Sequence, residues 1–219
     1  MLIPYQTCAN AIKALHSVVP TKVIHIGAHV GEEAAFYQDE GVKEVIWFEA
    51  NRELLGELEE NTRKFRLKQQ IIPLALWDKN TELQFNITNN LQSSSFLGLG
   101  THREHYPDIV VERLETVSAY RLDSLISSVP GFLSFSDFDF INIDTQGAEL
   151  HILKGMGDYV FQESVKGVYL EVNTEEVYKG APSIAEIDSY LMRGGFYRMK
   201  TRVTTKGWGD ALYIRQALI

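Results

Sequence analysis

Short apolar runs alternate with amphipathic segments along most of the chain. The runs at 23–26, 44–49 and 71–77 predict the first three strands of a sheet. Residues 32–40 and 51–65, which lie between these runs, have the apolar period of helices. Because the runs lack alternating polar positions, we expect strands covered on both faces, as in a parallel sheet with right-handed crossovers.

The same alternation returns in the second half of the chain. Residues 138–144 and 167–173 predict two further buried strands, with helices that begin near Ala148 and Ser183. Ser183 and Glu186 have the spacing of a capping box, which marks the start of the second of these helices.

Two apolar runs, 196–203 and 210–215, close the chain. The loop between them, TTKGWG, contains two glycines, so the runs predict an antiparallel hairpin. The predicted fold is therefore α/β, with a mostly parallel sheet, an antiparallel C-terminal hairpin and helices on both faces.

The N-terminal segment, residues 1–20, predicts a helix over 7–18 with Ala11, Ile12 and Leu15 on one side. It lacks a charged region followed by a long apolar run, so we do not expect a signal peptide. No part of the chain approaches the ~20 apolar residues that a membrane span needs.

The central region is less regular. Residues 81–88 alternate like a strand, and 111–122 predict a strand that leads into a short helix. The segment 89–108 between them is polar, contains Gly and Pro, and predicts an exposed loop. Because long loops in compact domains are often functional, we expect the region 86–115 to face a substrate.

Composition narrows the class of protein. With 219 residues, 45% of them hydrophobic, the chain suffices for one core, and we expect a single domain over 1–219. The net charge is −8 and no basic block occurs, which argues against a nucleic-acid partner and against anionic membranes. Cys8 is alone, which fits a reducing compartment such as the cytoplasm. The sequence does not predict the oligomeric state.

The first candidate ligand-binding residues lie at the end of the first strand, where Gly27 and Gly31 precede a helix. Glycines at this place let a chain turn sharply and let a ligand approach the backbone. The spacing is G-x-x-x-G and not the G-x-G-x-x-G of dinucleotide-binding proteins. A ligand loop and a simple tight turn therefore both remain open.

Glu49 ends the second strand, 22 positions after Gly27. In doubly wound folds an acidic residue about 20 positions on binds ribose hydroxyls. Glu32 and Glu33 in the next helix disfavour a pyrophosphate there, so a ligand with a ribose and a positive end, such as S-adenosylmethionine, suits the site better. Asp78 is placed to accept from an adenine amino group beside Trp77, although a turn residue is the alternative.

The order of the motifs HIGAHVGEE, WFEAN, LALWDKN, SSS, FINIDTQGAELHILKG, EVN and GWGDALY resembles the FkbM-type methyltransferases, over about residues 22–214. That family uses S-adenosylmethionine. The resemblance implies a Rossmann-like, class I methyltransferase sheet of seven strands and methyl transfer to oxygen, often on a sugar hydroxyl. This chain has His25 where the family commonly has Asp, and Asn142 where it commonly has Lys.

The residues that match the family's cofactor-binding positions, together with those argued above, form the predicted cofactor set: His25, Gly27, Ala28, His29, Gly31, Glu49, Ala50, Asn51, Trp77, Asp78 and Asn142. A nicotinamide-dependent oxidoreductase and a non-catalytic nucleotide-binding module are the two alternative functions. The first would need the G-x-G-x-x-G turn that the chain lacks.

The chemistry is expected at the carboxyl ends of the strands, where open α/β sheets bind ligands. Asp144, Glu171 and Asn173 end neighbouring strands there, and their oxygens suit a divalent ion, most readily Mg²⁺. The alternative is a general base without a metal: Asp144, Glu171 or, more weakly, His151. Purely structural roles remain a third interpretation.

A carbohydrate or other small hydroxyl-bearing acceptor is the expected partner. Hydroxyls, amides and imidazoles of the central loop and the strand ends suit such a polyol, although a solvated loop is the alternative. Trp208 is expected to stack on a sugar or to cap the sheet edge. The candidate substrate residues are Ser94, Ser95, His102, His105, Gln146 and Trp208, with Gln92 and Ser93 beside them.

Overall fold

The computed structural model describes residues 1–133 and 138–217; residues 134–137 and 218–219 lie outside the description. The strands are β1 Lys22–Ile26, β2 Glu44–Phe48, β3 Lys68–Ile72, β4 Ala75–Leu76, β5 Thr81–Thr88, β6 Val111–Tyr120, β7 Phe140–Ile143, β8 Gly167–Asn173, β9 Phe196–Val203 and β10 Trp208–Arg215. The α-helices are α1 Tyr5–His16, α2 Ala34–Asp39, α3 Leu55–Thr62, α4 His102–His105, α5 Leu122–Ser128, α6 Glu149–Met156 and α7 Ile184–Met192. Two 3-10 helices cover Arg52–Leu54 and Gly157–Phe161.

The main sheet has seven strands in the order β3-β2-β1-β7-β8-β10-β9. The first five are parallel, and β10 is antiparallel to both β8 and β9. Val23 and Ile24 are consecutive on β1 and are both fully buried, but they belong to two different core clusters. The sheet is therefore covered on both faces, and the predicted α/β fold with its C-terminal hairpin is confirmed.

The predicted third strand at 71–77 is wrong in its bounds, because the chain changes sheets in the middle of this run. Its first part belongs to β3 of the main sheet, whereas β4 pairs with the end of β6 in a second sheet of order β4-β6-β5. Pro73 lies between the two strands and has no N–H to donate to a ladder. The break turns the chain over the carboxyl ends of the main sheet.

The central segment between β5 and β6 is not the exposed loop that its polar composition predicts. Ser95, Leu99 and His102 are buried. The Gly100 N–H donates to the carbonyl of Val177 at 2.9 Å, which ties the segment to the chain that follows β8. Since Ser95 also exchanges backbone hydrogen bonds with Asn86 on β5, the segment forms a fixed wall above the strand ends.

The N-terminal helix begins at Tyr5 and ends at His16, two residues earlier than predicted at each end. Ala11 and Ile12 are buried as expected, but Leu15 is 38% exposed, because α1 ends there and leaves the core. Within the described part of the chain, no helix has both the length and the apolar character needed to cross a membrane.

Candidate functional site

Gly27 allows the tips of three neighbouring strands to meet. Its N–H donates to the carbonyl of Phe48 at 2.9 Å, and its φ is +83°. A Cβ at this position would lie 1.8 Å from the carbonyl oxygen of Asp144. The glycine is therefore required by the approach of β7 to β1, even though it also borders the cavities described below.

Gly31 has a packing role. Its φ is +76°, and a Cβ would lie 2.5 Å from Cγ2 of Thr62 and 2.9 Å from Cδ1 of Leu58 on α3. Gly31 is not among the described residues that line the cavities at the strand ends. The expectation that this glycine makes room for a ligand is not met by its surroundings.

Glu49 fixes the loops on either side of it. Its carboxylate accepts hydrogen bonds from the backbone N–H groups of His29 and Asn51, each at 2.7 Å. Burial raises the pKa of this carboxyl, while the backbone donors act in the opposite direction. Glu49 thus lies at the tip of β2 with oxygens directed to the cavity edge.

A cavity beside Glu49, which we call the Glu49 cavity, encloses about 600 Å³ of space, part of it open to solvent. One end is polar and includes His29, Glu49, Asn51 and Asp144, and Nδ2 of Asn51 is buried without a hydrogen-bond partner among the described residues. The other end is apolar and is formed by Ala50, Leu74, Ala75, Leu76, Phe85, Phe96 and Ile152. The cavity therefore suits a molecule with one polyhydroxylated part and one flat apolar part.

A second cavity, the Glu33 cavity, adjoins the first one and encloses about 450 Å³ of space, part of it open to solvent. His25, Ala28, Glu32 and Glu33 line it, and Asp144 borders both cavities. The amino group of Met1 lies 4.0 Å from Oε1 of Glu33. The acidic lining gives this space a negative potential that suits a cationic group.

His25 and Asn142 are direct partners in the register of β1 and β7. Nδ2 of Asn142 donates to the hydroxyl of Tyr37 at 2.8 Å, and the same hydroxyl lies 3.1 Å from Nδ1 of His25. Burial lowers the pKa of His25 to about 3, so its ring is neutral. Asn142 lies beneath the cavities and supports them.

Trp77, Asp78 and His151 form a separate group. Nδ1 of His151 lies 2.8 Å from Oδ2 of Asp78, and its ring stacks on Trp77 with centroids 4.0 Å apart. None of the three is among the described residues that line the Glu49 cavity, although their neighbours Leu76 and Ile152 are. The structure thus pairs the predicted adenine ligand Asp78 with the predicted base His151 and places both behind the cavity wall.

Gln146 connects the tips of β7 and β8. Its Nε2 donates to Oδ1 of Asp144 at 2.8 Å and to Oε2 of Glu171 at 2.9 Å. Its Oε1 accepts from the hydroxyl of Tyr178 at 2.6 Å, and its backbone has a φ of +59°. A non-glycine residue rarely adopts this conformation, so the surrounding contacts hold Gln146 in a strained position.

The carboxyl groups beside Gln146 titrate at higher pH than usual. Burial, followed by the charges of Asp210 and Glu33, raises the pKa of Asp144 to about 6. Burial and the neighbouring Asp144 raise the pKa of Glu171 well above its ordinary value. Because two like charges this close disfavour double ionisation, the pair holds a proton to higher pH than an isolated carboxyl group does.

Glu149 holds the loop that carries Gln146. Its Oε1 accepts from the N–H and the hydroxyl of Thr145, both at 3.0 Å, and from the N–H of Gly147 at 3.2 Å. Burial raises the pKa of Glu149 to about 7. Sequence reasoning missed this residue, although an acidic residue in the first turn of a helix after a strand is a recognisable capping signal.

A larger cavity of about 840 Å³, the Glu171 cavity, lies on the other side of Asp144 and Gln146. Acidic residues Glu171 and Asp210 form part of its wall, and His102, Tyr106, Tyr178 and Trp208 supply its aromatic part. Nε1 of Trp208 donates to the hydroxyl of Tyr106 at 3.0 Å. Tyr106 and Tyr178 were not predicted, since no local motif marks them.

The remaining predicted substrate residues occupy different places. Ser94 lines the Glu49 cavity, and Ser93 and His102 line the Glu171 cavity. Ser95 lines neither, but its hydroxyl donates to the carbonyl of Gln146 at 2.7 Å. His105 lies 3.6 Å from Glu175, away from the described cavity walls.

The predicted Mg²⁺ site has no support in the geometry. Among residues 1–133 and 138–217, no group of three or more His, Cys, Asp or Glu side chains is arranged to hold a metal ion. The amide of Gln146 joins Asp144 to Glu171, and a donor N–H group is not a metal ligand. Asn173 is buried and does not line the described cavities.

Comparison with known proteins identifies the family. Residues 25–199 match the model of the methyltransferase FkbM domain. No curated protein is similar enough to the chain to count as a relative.

Several solved structures with similar folds are methyltransferases, each with low sequence identity to this chain. The ribosomal protein L11 methylase of Lactobacillus delbrueckii subsp. bulgaricus is 14% identical, with a TM-score of 0.52 over 98% of this chain and 79% of that one. The magnesium protoporphyrin IX methyltransferase of Synechocystis PCC 6803, with bound S-adenosylmethionine, is 12% identical, with a TM-score of 0.50 over 96% and 79%. An S-adenosylmethionine-dependent methyltransferase of Clostridium acetobutylicum is 10% identical, with a TM-score of 0.51 over 98% and 93%.

The similarity to these structures extends over nearly the whole chain and supports the class I methyltransferase fold. The match to the family model covers most of the chain and includes the tips of β1, β2, β7 and β8. The chain belongs to the FkbM family of S-adenosylmethionine-dependent methyltransferases.

Proposed function

We propose that the protein transfers the methyl group of S-adenosylmethionine to a hydroxyl of a carbohydrate acceptor. The position of Asp144 carries this proposal, because Asp144 and Gln146 border both the Glu49 cavity and the Glu171 cavity. A group able to take a proton is thus adjacent to the space for the cofactor and to the space for the acceptor.

The residues of the Glu49 cavity fit an adenosyl group. The Glu49 carboxylate and the unpartnered Nδ2 of Asn51 would hold the ribose hydroxyls, and the apolar end would take the adenine. The Glu33 cavity suits the cationic amino group of the methionine part. When bound, the cofactor supplies a methyl group on a sulfonium centre, which the acceptor oxygen takes to leave S-adenosylhomocysteine.

Asp144 is the proposed general base. A hydroxyl is a weak acid, and a base whose pKa lies near the working pH removes its proton most effectively. Burial raises the pKa of Asp144 to about 6, which meets this condition. The proton leaves the acceptor O–H bond and is held on the Asp144–Glu171 pair, while Gln146 keeps the two carboxyl groups in place.

The lining of the Glu171 cavity supports a carbohydrate. Trp208 and Tyr106 offer flat apolar surfaces, and sugar rings present faces of C–H groups that pack on such surfaces. Glu171 and Asp210 offer oxygens to hydroxyl groups. This combination of aromatic and carboxylate side chains binds polyols without the metal ion expected from the sequence.

Transfer of labelled methyl groups from S-adenosylmethionine to a panel of sugars and glycosides tests the proposal. We expect a methyl ether as the product, and loss of transfer in Asp144→Asn but not in Glu104→Gln, which removes an exposed carboxylate on α4. Binding of S-adenosylmethionine without transfer to any hydroxyl would favour the non-catalytic module. Preferential binding of NAD would favour the oxidoreductase.

A further inference from the structure

Two buried side-chain atoms of residues that line the Glu171 cavity have no hydrogen-bond partner among the described residues. Oε1 of Glu171 is buried without a hydrogen-bond partner among the described residues, and the Glu171 residue is 5% exposed. Nδ1 of His102, which also lines the cavity, is likewise buried and has no hydrogen-bond partner among the described residues. Burial lowers the pKa of His102, which favours the neutral ring with one donor and one acceptor nitrogen.

The main donors of the same wall are already engaged. The amide of Gln146 donates to Asp144 and Glu171, and the hydroxyl of Tyr178 donates to Gln146 at 2.6 Å. The indole N–H of Trp208 donates to Tyr106. A ligand that needs donors from the protein, such as a phosphate or a carboxylate, would therefore find few here.

The charges of the lining residues also favour a ligand that donates hydrogen bonds. Asp144, Glu171 and Asp210 line the cavity, and no Lys or Arg occurs among its described lining residues. Met1 also lines it, but its amino group lies 4.0 Å from Oε1 of Glu33, so the three carboxyl groups outnumber the one cation. Nζ of Lys206 lies 3.8 Å from the ring centroid of Tyr106, so this cation already covers one face of that ring. Carboxylates and aromatic faces together favour an ammonium group, which has only donors and a positive charge.

We infer that the acceptor carries an ammonium group near the hydroxyl that is methylated, as in an amino sugar, and that the Glu171 cavity binds this group. The inference rests on the proposed function and adds the charge of the acceptor to it. Burial raises the pKa of Glu171, and an ammonium group beside it would lower this pKa, because an opposite charge favours the charged form of a carboxyl group. Acceptors with phosphate or carboxylate groups are disfavoured by the same wall.

Three glycosides with one ring structure test the inference: a methyl glucoside, the corresponding 2-amino glycoside and the corresponding glucuronide. Their affinities are measured by saturation-transfer NMR on the protein saturated with S-adenosylhomocysteine. We expect the amino glycoside to bind about tenfold more tightly than the neutral one, which corresponds to about 1.4 kcal/mol. The glucuronide should bind more weakly than both.

Glu171→Gln should abolish the preference for the amino glycoside, because the amide keeps the shape of the side chain but not its charge. Asp210→Asn serves as a second variant on the same wall, and Glu104→Gln, on the exposed face of α4, is the matched control that should retain the preference. Thermal unfolding of each variant verifies that it is folded.

Equal affinity for the three glycosides, tighter binding of the glucuronide, no binding of the amino glycoside, or an N-methylated product would each overturn the inference. Binding of S-adenosylhomocysteine, measured in the same samples, distinguishes a failure of this inference from a failure of the proposed function. If it binds and the glycosides show no charge preference, the inference alone is wrong; if it does not bind, the proposed function is wrong as well.

Discussion

The side-chain amide of Gln146 donates a hydrogen bond to Oε2 of Glu171 at 2.9 Å, across the tips of β7 and β8. The same nitrogen donates to Asp144, so one amide serves two carboxyl groups. These hydrogen bonds lower the pKa of both acids against the larger effect of burial, which raises it. Gln146 therefore extends towards lower pH the range in which the pair is ionised and can accept a proton.

Gln146→Leu should move the acid limb of the kcat/KM profile to higher pH. Without the donated hydrogen bonds, each carboxyl keeps its proton more strongly, and the expected displacement is about one pH unit, the scale of one hydrogen bond to a charged group. The profile is measured by methyl transfer to the acceptor found in the panel. Gln84→Leu, which removes an exposed amide bound to Thr116, is the control and should leave the profile unchanged. An unshifted profile in Gln146→Leu would show that Gln146 does not lower the pKa of the catalytic carboxyl groups.

Asp144 should reduce the stability of the protein as the pH rises. Its pKa is about 6 in the folded protein and 3.8 ordinarily, so the folded state binds more protons between these values. Stability contributed by this group is therefore present below about pH 4 and declines as the pH rises towards 6. In Asp144→Asn this decline should disappear, so the variant gains stability relative to the wild type across the same interval.

Urea denaturation of both proteins at several pH values measures the difference. The comparison is necessary because His25 acts in the opposite direction: its pKa is lowered to about 3 by burial, so its contribution rises with pH. His25 is present in both proteins and its contribution cancels in the difference. A difference that does not change with pH would contradict the raised pKa of Asp144.

Glu49→Gln should weaken the binding of S-adenosylhomocysteine by about 1–3 kcal/mol, because the ribose would lose an acceptor with a negative charge. Isothermal titration calorimetry gives the dissociation constant. Glu57→Gln removes an exposed carboxylate on α3 and should bind like the wild type. Equal affinities in the wild type and Glu49→Gln would mean that Glu49 only fixes the N–H groups of His29 and Asn51.

Gly31→Ala should destabilise the fold more than Gly41→Ala does. Both glycines have positive φ, but a Cβ at Gly31 meets Thr62 and Leu58, whereas nothing lies within 4 Å of one at Gly41. The left-handed conformation costs each variant about 1–2 kcal/mol. Overpacking adds about 1–3 kcal/mol at Gly31 alone. The free energies of unfolding test this, and equal losses would show that α3 moves aside freely.

The fold was predictable because buried parallel strands leave long apolar runs, and the first polar residue after each run marks its carboxyl end. Glu49, Asp144 and Glu171 were found in this way, and the structure brings Asp144 and Glu171 together at one edge of the sheet. The break at Pro73 was missed, because the apolar run continues across two sheets.

The contacts between distant segments were not predictable. Tyr178 reaches Gln146 from the chain after β8, and Trp77 stacks on His151 of α6, yet neither pair leaves a periodic signal. Polarity also misled the interpretation of the central segment, where Ser95 and His102 are buried because their polar atoms face other polar groups or a cavity.

The two departures from the family pattern turn out to be one structural feature. His25 and Asn142 are register partners, and Tyr37 lies between their side chains. Where the family commonly has an acidic and a basic residue, this chain therefore has a neutral pair linked by a hydroxyl. The two substitutions can be recognised as a pair only when the register between β1 and β7 is known, and the sequence alone does not give this register.

We propose that the tips of β1, β2 and β7 form the cofactor site. A crystal structure of the protein with S-adenosylhomocysteine, under conditions in which calorimetry shows saturation, tests it most directly. We expect the ribose beside Glu49 and Asn51, the adenine against Leu76 and the sulfur towards Asp144. Saturated crystals with no ligand in the Glu49 cavity, or with the ligand bound elsewhere, would contradict it.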